Sequence, residues 1–111
     1  MRGEGAFNMY MIYFYVPESH LEIVKEAIFK AGAGNIGNYN HCAWQTLGES
    51  QFMPLKGSDA FIGEVGKLEK MAEYKVEVVC ENTKIKLVID ALKKSHPYET
   101  PAYQVMELAD V

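Results

Sequence analysis

The sequence predicts a small α+β domain in which a strand-helix-strand unit occurs twice. Three observations carry the prediction. An apolar run, MYMIYFYV, spans Met9–Val16; two stretches have apolar residues at helical spacing; and each stretch is followed by extended, alternating sequence. A chain of 111 residues is one domain by length and can bury one modest core.

Met9–Val16, rich in Tyr, Phe, Ile and Val, suits a strand buried on both faces, and Pro17 ends it. Ser19 and Glu22 have capping-box spacing, which predicts a helix over residues 19–31. Val24, Ala27, Ile28 and Ala31 form its apolar stripe, and Gly32 or Gly34 offers a left-handed stop. Residues 35–40 form a turn-rich approach. Residues 39–47 then alternate, with Tyr39, His41, Ala43 and Gln45 on one face and Asn40, Cys42, Trp44 and Thr46 on the other. Leu47-Gly48-Glu49 predicts a hairpin turn, with residues 50–55 as a return strand broken by Pro54. Residues 56–70 form a glycine-containing loop anchored by Phe61 and Ile62.

Residues 74–81 alternate again. Tyr74, Val76, Val78 and Cys80 face one way; Lys75, Glu77 and Glu81 face the other. Asn82 or Thr83 can cap a second helix, whose stripe is Ile85, Val88, Ile89 and Leu92. That helix ends near Ser95, because Pro97 disfavours helical geometry at His96. Residues 102–108 form the last strand. With the hairpin set aside, the order is β-α-β twice, which predicts a ferredoxin-like sheet of four strands with both helices on one face and an inserted β-hairpin. The other face needs a cover, and a second copy of the chain is expected to supply it, as a homo-oligomer, dimer or trimer. The domain covers residues 9–111. Residues 1–8 are expected to be a tail, native or left by expression engineering, with Met9 or Met11 as an alternative start.

Composition narrows function. A net charge of −4 and a pI near 5.3 argue against nucleic acid as the main partner, and Lys84, Lys86, Lys93 and Lys94 fit a solvated helix face. No apolar stretch reaches the roughly 18 residues of a membrane span. Only Cys42 and Cys80 are present, far apart, which suits a reducing cytoplasm and two small buried side chains. A redox pair or metal ligation is the alternative for them.

The segment richest in chemistry is residues 95–103, SHPYETPAY. Pro97 and Pro101 stiffen it, so His96, Tyr98 and Glu99 are held at low entropic cost. The end of a helix also favours the charged form of His96. Three readings stay open: a structural connector, a ligand or metal site, and an acid-base pair. A second cluster, residues 37–42, contains Asn38, His41 and Cys42. On a strand, His41 and Cys42 point to opposite faces. Each cluster follows its own helix and opens the next strand, so the two are pseudo-symmetry mates near one sheet edge, and His41 shares a pocket with His96 only if the fold brings them together. With Glu99 they make the candidate metal set His41, His96, Glu99, suited to a divalent cation. A third cluster, residues 61–66, contains Glu64, a ligand contact or a loop surface charge. It lacks the Gly-Lys-Ser of a phosphate loop. No catalytic Ser-His-Asp order, zinc-type cysteine pairing or dinucleotide-binding glycine signature is present.

GNIGNYNHC over residues 34–42, Gly57, FIGEVGKL over residues 61–68, and His96-Pro97-Tyr98-Glu99 with Ala102 and Tyr103 resemble one known family. They are similar to the inserted middle domain of the YqfO-type, Nif-three-like proteins, also called GTP cyclohydrolase type 2 homologs. The resemblance runs over about residues 9–108, and the chain looks like a stand-alone version of that domain. It implies a fold similar to the CutA and PII signalling proteins, whose subunits assemble as trimers, or dimers in related branches. The family's two-metal site lies in a flanking domain that has no counterpart in this chain, so no hydrolase activity is carried over. The matching positions are Asn38, His41, Cys42, Glu64, His96, Tyr98 and Glu99. Thr100 departs from a frequent second acidic residue, which puts in doubt any site needing that carboxylate.

The expected function is a small PII/CutA-like binding or regulatory module. It would sense a metal ion or small molecule at a loop cleft formed from Asn38, His41, Glu64, His96, Tyr98 and Glu99. The alternatives are an interaction domain partnering a separate metal-dependent hydrolase-like protein, or a weak enzyme using His96 and Glu99.

Overall fold

The computed structural model describes residues 8–111. Its elements are β1 (Met9–Val16), α1 (Glu18–Ala31), β2 (Trp44–Phe52), β3 (Glu69–Glu81), α2 (Ile85–Ser95) and β4 (Tyr103–Glu107). The strands form one antiparallel sheet in the order β2-β3-β1-β4. The predicted ferredoxin-like fold is present. The tail expected at residues 1–8 lies outside the described residues except for Asn8, whose carbonyl accepts the Asn82 N–H at 2.9 Å.

One core lies between the sheet and the helices. Ile12, Phe14 and Val16 of β1 and Val76, Val78 and Cys80 of β3 are buried against Leu21, Val24 and Ile28 of α1 and Val88 and Leu92 of α2. These are the even strand positions, as period-2 alternation requires. Each such side chain contributes about 1.5–3 kcal/mol of burial. α1 stops at Gly32, which takes the left-handed conformation with φ 119°.

Three local expectations are corrected. There is no turn at Leu47-Gly48-Glu49, and no short inserted hairpin there. These residues run straight through β2, paired with Tyr74, Glu73 and Ala72. A single strand glycine weakens a ladder only modestly, and β3 offers an unbroken row of partners. β3 accordingly begins five residues earlier than its apolar alternation suggested, at Glu69, and β2 and β3 project as an arm beyond the end of β1. Residues 39–43 are not a strand: β2 begins at Trp44. Neither helix has the expected side-chain cap. α1 starts at Glu18 after Pro17, the Ser19 hydroxyl meets the His20 ring at 2.9 Å, and Lys84 precedes α2.

The odd positions make the second sheet face, which no helix among the described residues covers. Cross-strand partners share a face, so Met11 and Tyr13 lie beside Lys75, Glu77, Val79, Trp44, Thr46 and Met106. Trp44 and Met106 are exposed there, and the Lys75 ammonium stands 4.7 Å from the centre of the Tyr13 ring. Among the described residues no helix is long and apolar enough to cross a membrane.

Candidate functional site

The site starts where α2 ends. Pro97 holds His96 in extended geometry, and this turns the imidazole back under the sheet. His96 is only 6 % exposed. Its Nε2 lies 2.7 Å from the Tyr15 carbonyl, and its Nδ1 lies 3.2 Å from the Tyr98 amide. A carbonyl only accepts and an amide N–H only donates, so the ring is the neutral Nε2–H tautomer with both nitrogens engaged. Burial pushes its pKa below the usual value, opposed by the Tyr15 hydrogen bond and the nearby Glu73 carboxylate. The expectation that the helix end favours a charged His96 is thereby corrected: burial outweighs the Tyr15 and Glu73 contributions that favour the charged ring.

Two residues on, the Tyr98 hydroxyl donates to the Glu73 carboxylate and also lies against the Met71 sulfur. Glu73 sits on the β2–β3 arm opposite Gly48 and is 6 % exposed. Burial, then the Glu73 hydrogen bond and charge, hold the Tyr98 phenol well above its ordinary range, so it stays a protonated donor. Glu99 is exposed and accepts the Asp59 N–H at 2.8 Å, which ties the α2–β4 loop to the loop of residues 53–68. Phe61 completes the junction, its ring 6.1 Å from Tyr98 and 5.6 Å from His20.

These parts enclose a cavity of about 580 Å³. Its walls include Phe52, Leu55, Phe61 and Tyr98, with Glu73 and Glu99 as its charged groups. A volume of this size suits a small organic molecule. A second hollow of about 360 Å³ lies on the uncovered sheet face, and Tyr15, Ser50 and Glu73 border both. The Ser50 hydroxyl oxygen is sealed from solvent and has no hydrogen-bond partner among the described residues.

The remaining predicted residues lie elsewhere. Asn38 and His41 belong to the turn-rich segment after α1. His41 is in left-handed geometry with φ 59°, its ring 4.8 Å from Phe29, with Asn40 at 2.8 Å and Glu26 at 3.3 Å. That is the C-terminal end of α1. His96, beneath the last turn of β1, is at its N-terminal end, about 20 Å away along a helix of this length. The shared pocket is therefore corrected: the structure does not bring His41 to His96 and Glu99. The reason is topological. β1 and β3 are antiparallel, so the helices returning from them are antiparallel too, and the segments after the two helices emerge at opposite ends. Glu64 is exposed, pairs with Lys67 at 2.8 Å and does not border the cavity. Among the described residues no group of three or more His, Cys, Asp or Glu is arranged to hold a metal ion. Both cysteines are free. Cys80 is buried, and burial with the Glu81 charge pushes its thiol up to about 11; Cys42 is half-buried in a loop rather than on a strand.

Sequence reasoning missed Glu73, Tyr15, Ser50 and Phe52. Glu73 falls on the solvent-side phase of the β3 alternation, and nothing local distinguishes it from Lys75 or Glu77.

No family model matches the chain. A Mycobacterium leprae protein named GTP cyclohydrolase 1 type 2 homolog is 44 % identical over 106 residues, covering 96 % of this chain and 27 % of that protein. A Bacillus subtilis protein of the same name is 48 % identical over 91 residues, covering 82 % of this chain and 24 % of that protein. The chain thus spans about a quarter of the length of the curated relatives it matches. The crystal structure of a Bacillus cereus protein related to NIF3 superposes with TM-score 0.82 at 36 % identity, over 95 % of this chain and 27 % of that one. For the fold alone, CutA from Archaeoglobus fulgidus, described as a periplasmic divalent cation tolerance protein, gives TM-score 0.67 at 20 % identity (93 % and 86 % covered). GlnK from Bacillus subtilis gives 0.62 at 12 % identity (92 % and 86 % covered). The chain is therefore homologous, over nearly its whole length, to a segment of the proteins named GTP cyclohydrolase 1 type 2 homolog, and its fold is that of CutA and GlnK.

Proposed function

We propose that the chain is a small-molecule-binding regulatory module whose ligand occupies the cavity between the β2–β3 arm, the loop of residues 53–68 and the His96–Glu99 segment. The observation that carries this reading is the convergence, on one cavity of about 580 Å³, of the Tyr98–Glu73 pair and an aromatic wall. His96 braces the segment from behind, Tyr98 and Glu99 border the ligand, and Glu99 ties the two loops together through Asp59. Asn38, His41 and Glu64 then act apart from the ligand. An acid-base role for His96 is disfavoured, because both ring nitrogens are already engaged and Glu99 bonds a backbone amide instead.

The divalent-cation function in the descriptions of CutA proteins does not transfer readily. His96 has no free ring nitrogen to offer, and His41 lies at the other end of α1. A self-associating subunit, dimer or trimer, acting in a reducing cytoplasm with its two thiols free, fits the uncovered sheet face and the cysteine pattern. A partner protein with hydrolase-like chemistry remains the alternative use of the same module.

The test is an amide-shift titration of the full chain with a fragment library. Binding should move the signals of Phe52, Phe61, Tyr98 and Glu99 together, and Tyr98→Ala should weaken the hits at least tenfold. Hits that cluster instead around Asn38 and His41, or none at the cavity across the library, would overturn the reading.

A further inference from the structure

We infer that the cavity selects a small organic cation, an amine or amidine on a flat apolar body; the inference rests on the binding reading above and deepens it. Among the described residues, the charged side chains lining the cavity are Glu73 and Glu99, and no Lys, Arg or His is among them. Glu73 is 94 % buried by its 6 % exposure, yet no ion pair reaches it among the described residues; the Tyr98 hydroxyl is its hydrogen-bond donor. A carboxylate accepts about four hydrogen bonds, so one donor leaves most of its capacity unused. That remaining capacity is offered to a cationic N–H donor entering the cavity.

The Ser50 hydroxyl points the same way. Ser50 borders the same cavity, and its hydroxyl oxygen is buried and without a partner among the described residues, so it has acceptor capacity for an N–H that reaches it. The rest of the wall suits the body of such a ligand. Phe52, Phe61 and Tyr98 all line the cavity, with the Phe52 and Phe61 ring centres 6.4 and 6.1 Å from that of Tyr98. Aromatic faces attract a cation as well as an apolar ring. A phosphate or carboxylate ligand would meet two carboxylates and no counter-charge from the lining, so nucleotides and organic acids are rejected.

The experiment compares three isosteric probes by amide-shift titration of the full chain: benzamidine, neutral benzamide and anionic benzoate. Benzamidine should shift Phe61 and Tyr98 and bind at least tenfold more tightly than benzamide, with benzoate silent. Glu73→Gln should remove most of the preference for benzamidine over benzamide. Because Glu73 is buried, the exposed Glu99→Gln serves as the second variant and should weaken benzamidine by a few-fold. Equal binding of benzamidine and benzamide at these residues, or stronger binding of benzoate, overturns the cation selectivity while the binding reading stands. Silence of all three probes at the cavity overturns both.

Discussion

His96 illustrates how a residue legible in the sequence can have a role that is not. Its place after a helix and before a proline was readable from two residues of context, and its extended geometry follows from Pro97. Its burial was not readable, because the Tyr15 carbonyl that accepts its Nε2–H hydrogen bond is 81 positions away. Burial first, against the opposing Tyr15 and Glu73 contributions, lowers its pKa from 6.5. Well above pH 6.5 the ring is neutral in both folded and unfolded chains, and the stability it contributes is fully present. As pH falls through 6.5, the unfolded chain takes up the proton first, so stability declines, and it levels off only once the folded ring protonates as well. The urea midpoint measured from about pH 8 to about pH 5 should therefore fall more steeply for the wild type than for His96→Gln. Parallel curves for the two proteins would show that His96 is not a buried neutral imidazole.

At the scale of elements, what could be read was what periodicity encodes. β1, the apolar half of β3 and α2 have regular spacing because each packs on the core, and all three lie where the spacing places them. β2 has no such signature: most of its residues are exposed, and its place is decided by pairing with β3 rather than by its own pattern. Gly48 was misleading for this reason. It pairs with Glu73 in ordinary extended geometry, and a Cβ added there meets nothing within 4 Å. Gly48→Thr should accordingly stabilise the fold by about 0.5–1 kcal/mol, since a strand glycine loses backbone entropy on folding and Thr favours strands. Gly63 predicts the opposite sign. Its φ is 98° and an added Cβ would stand 2.8 Å from Cγ of Glu69, so Gly63→Ala should destabilise by about 1–3 kcal/mol. Chemical denaturation of both variants checks the pair, and a destabilised Gly48→Thr would restore the turn that the sequence suggested.

At the scale of the whole molecule, the candidate site was half visible. Its local half, His96 to Glu99, is contiguous; its other half arrives from Phe52, Phe61 and Glu73, brought in by a long-range pairing that no local pattern announces. The uncovered sheet face was visible in full, because β1 is apolar at odd as well as even positions. An antiparallel sheet can leave one face in water when that face is polar. Here the face presents Met11, Tyr13, Val79, Trp44 and Met106 around one Lys75–Glu77 stripe, and Trp44 is 67 % and Met106 53 % exposed. Contiguous aromatic and methionine surface of this kind is what self-associating faces use. Native mass spectrometry at micromolar concentration should therefore give a dimer or trimer. Trp44→Glu with Met106→Glu should shift it to monomer while the helix and strand signals of circular dichroism are retained, since neither side chain belongs to the core. Trp44 and Met106 do not line the ligand cavity, so the monomeric variant should keep wild-type benzamidine binding. A wild-type monomer, or a charged pair that still assembles, would move the interface away from the sheet; loss of ligand binding on dissociation would instead place a second copy at the cavity mouth.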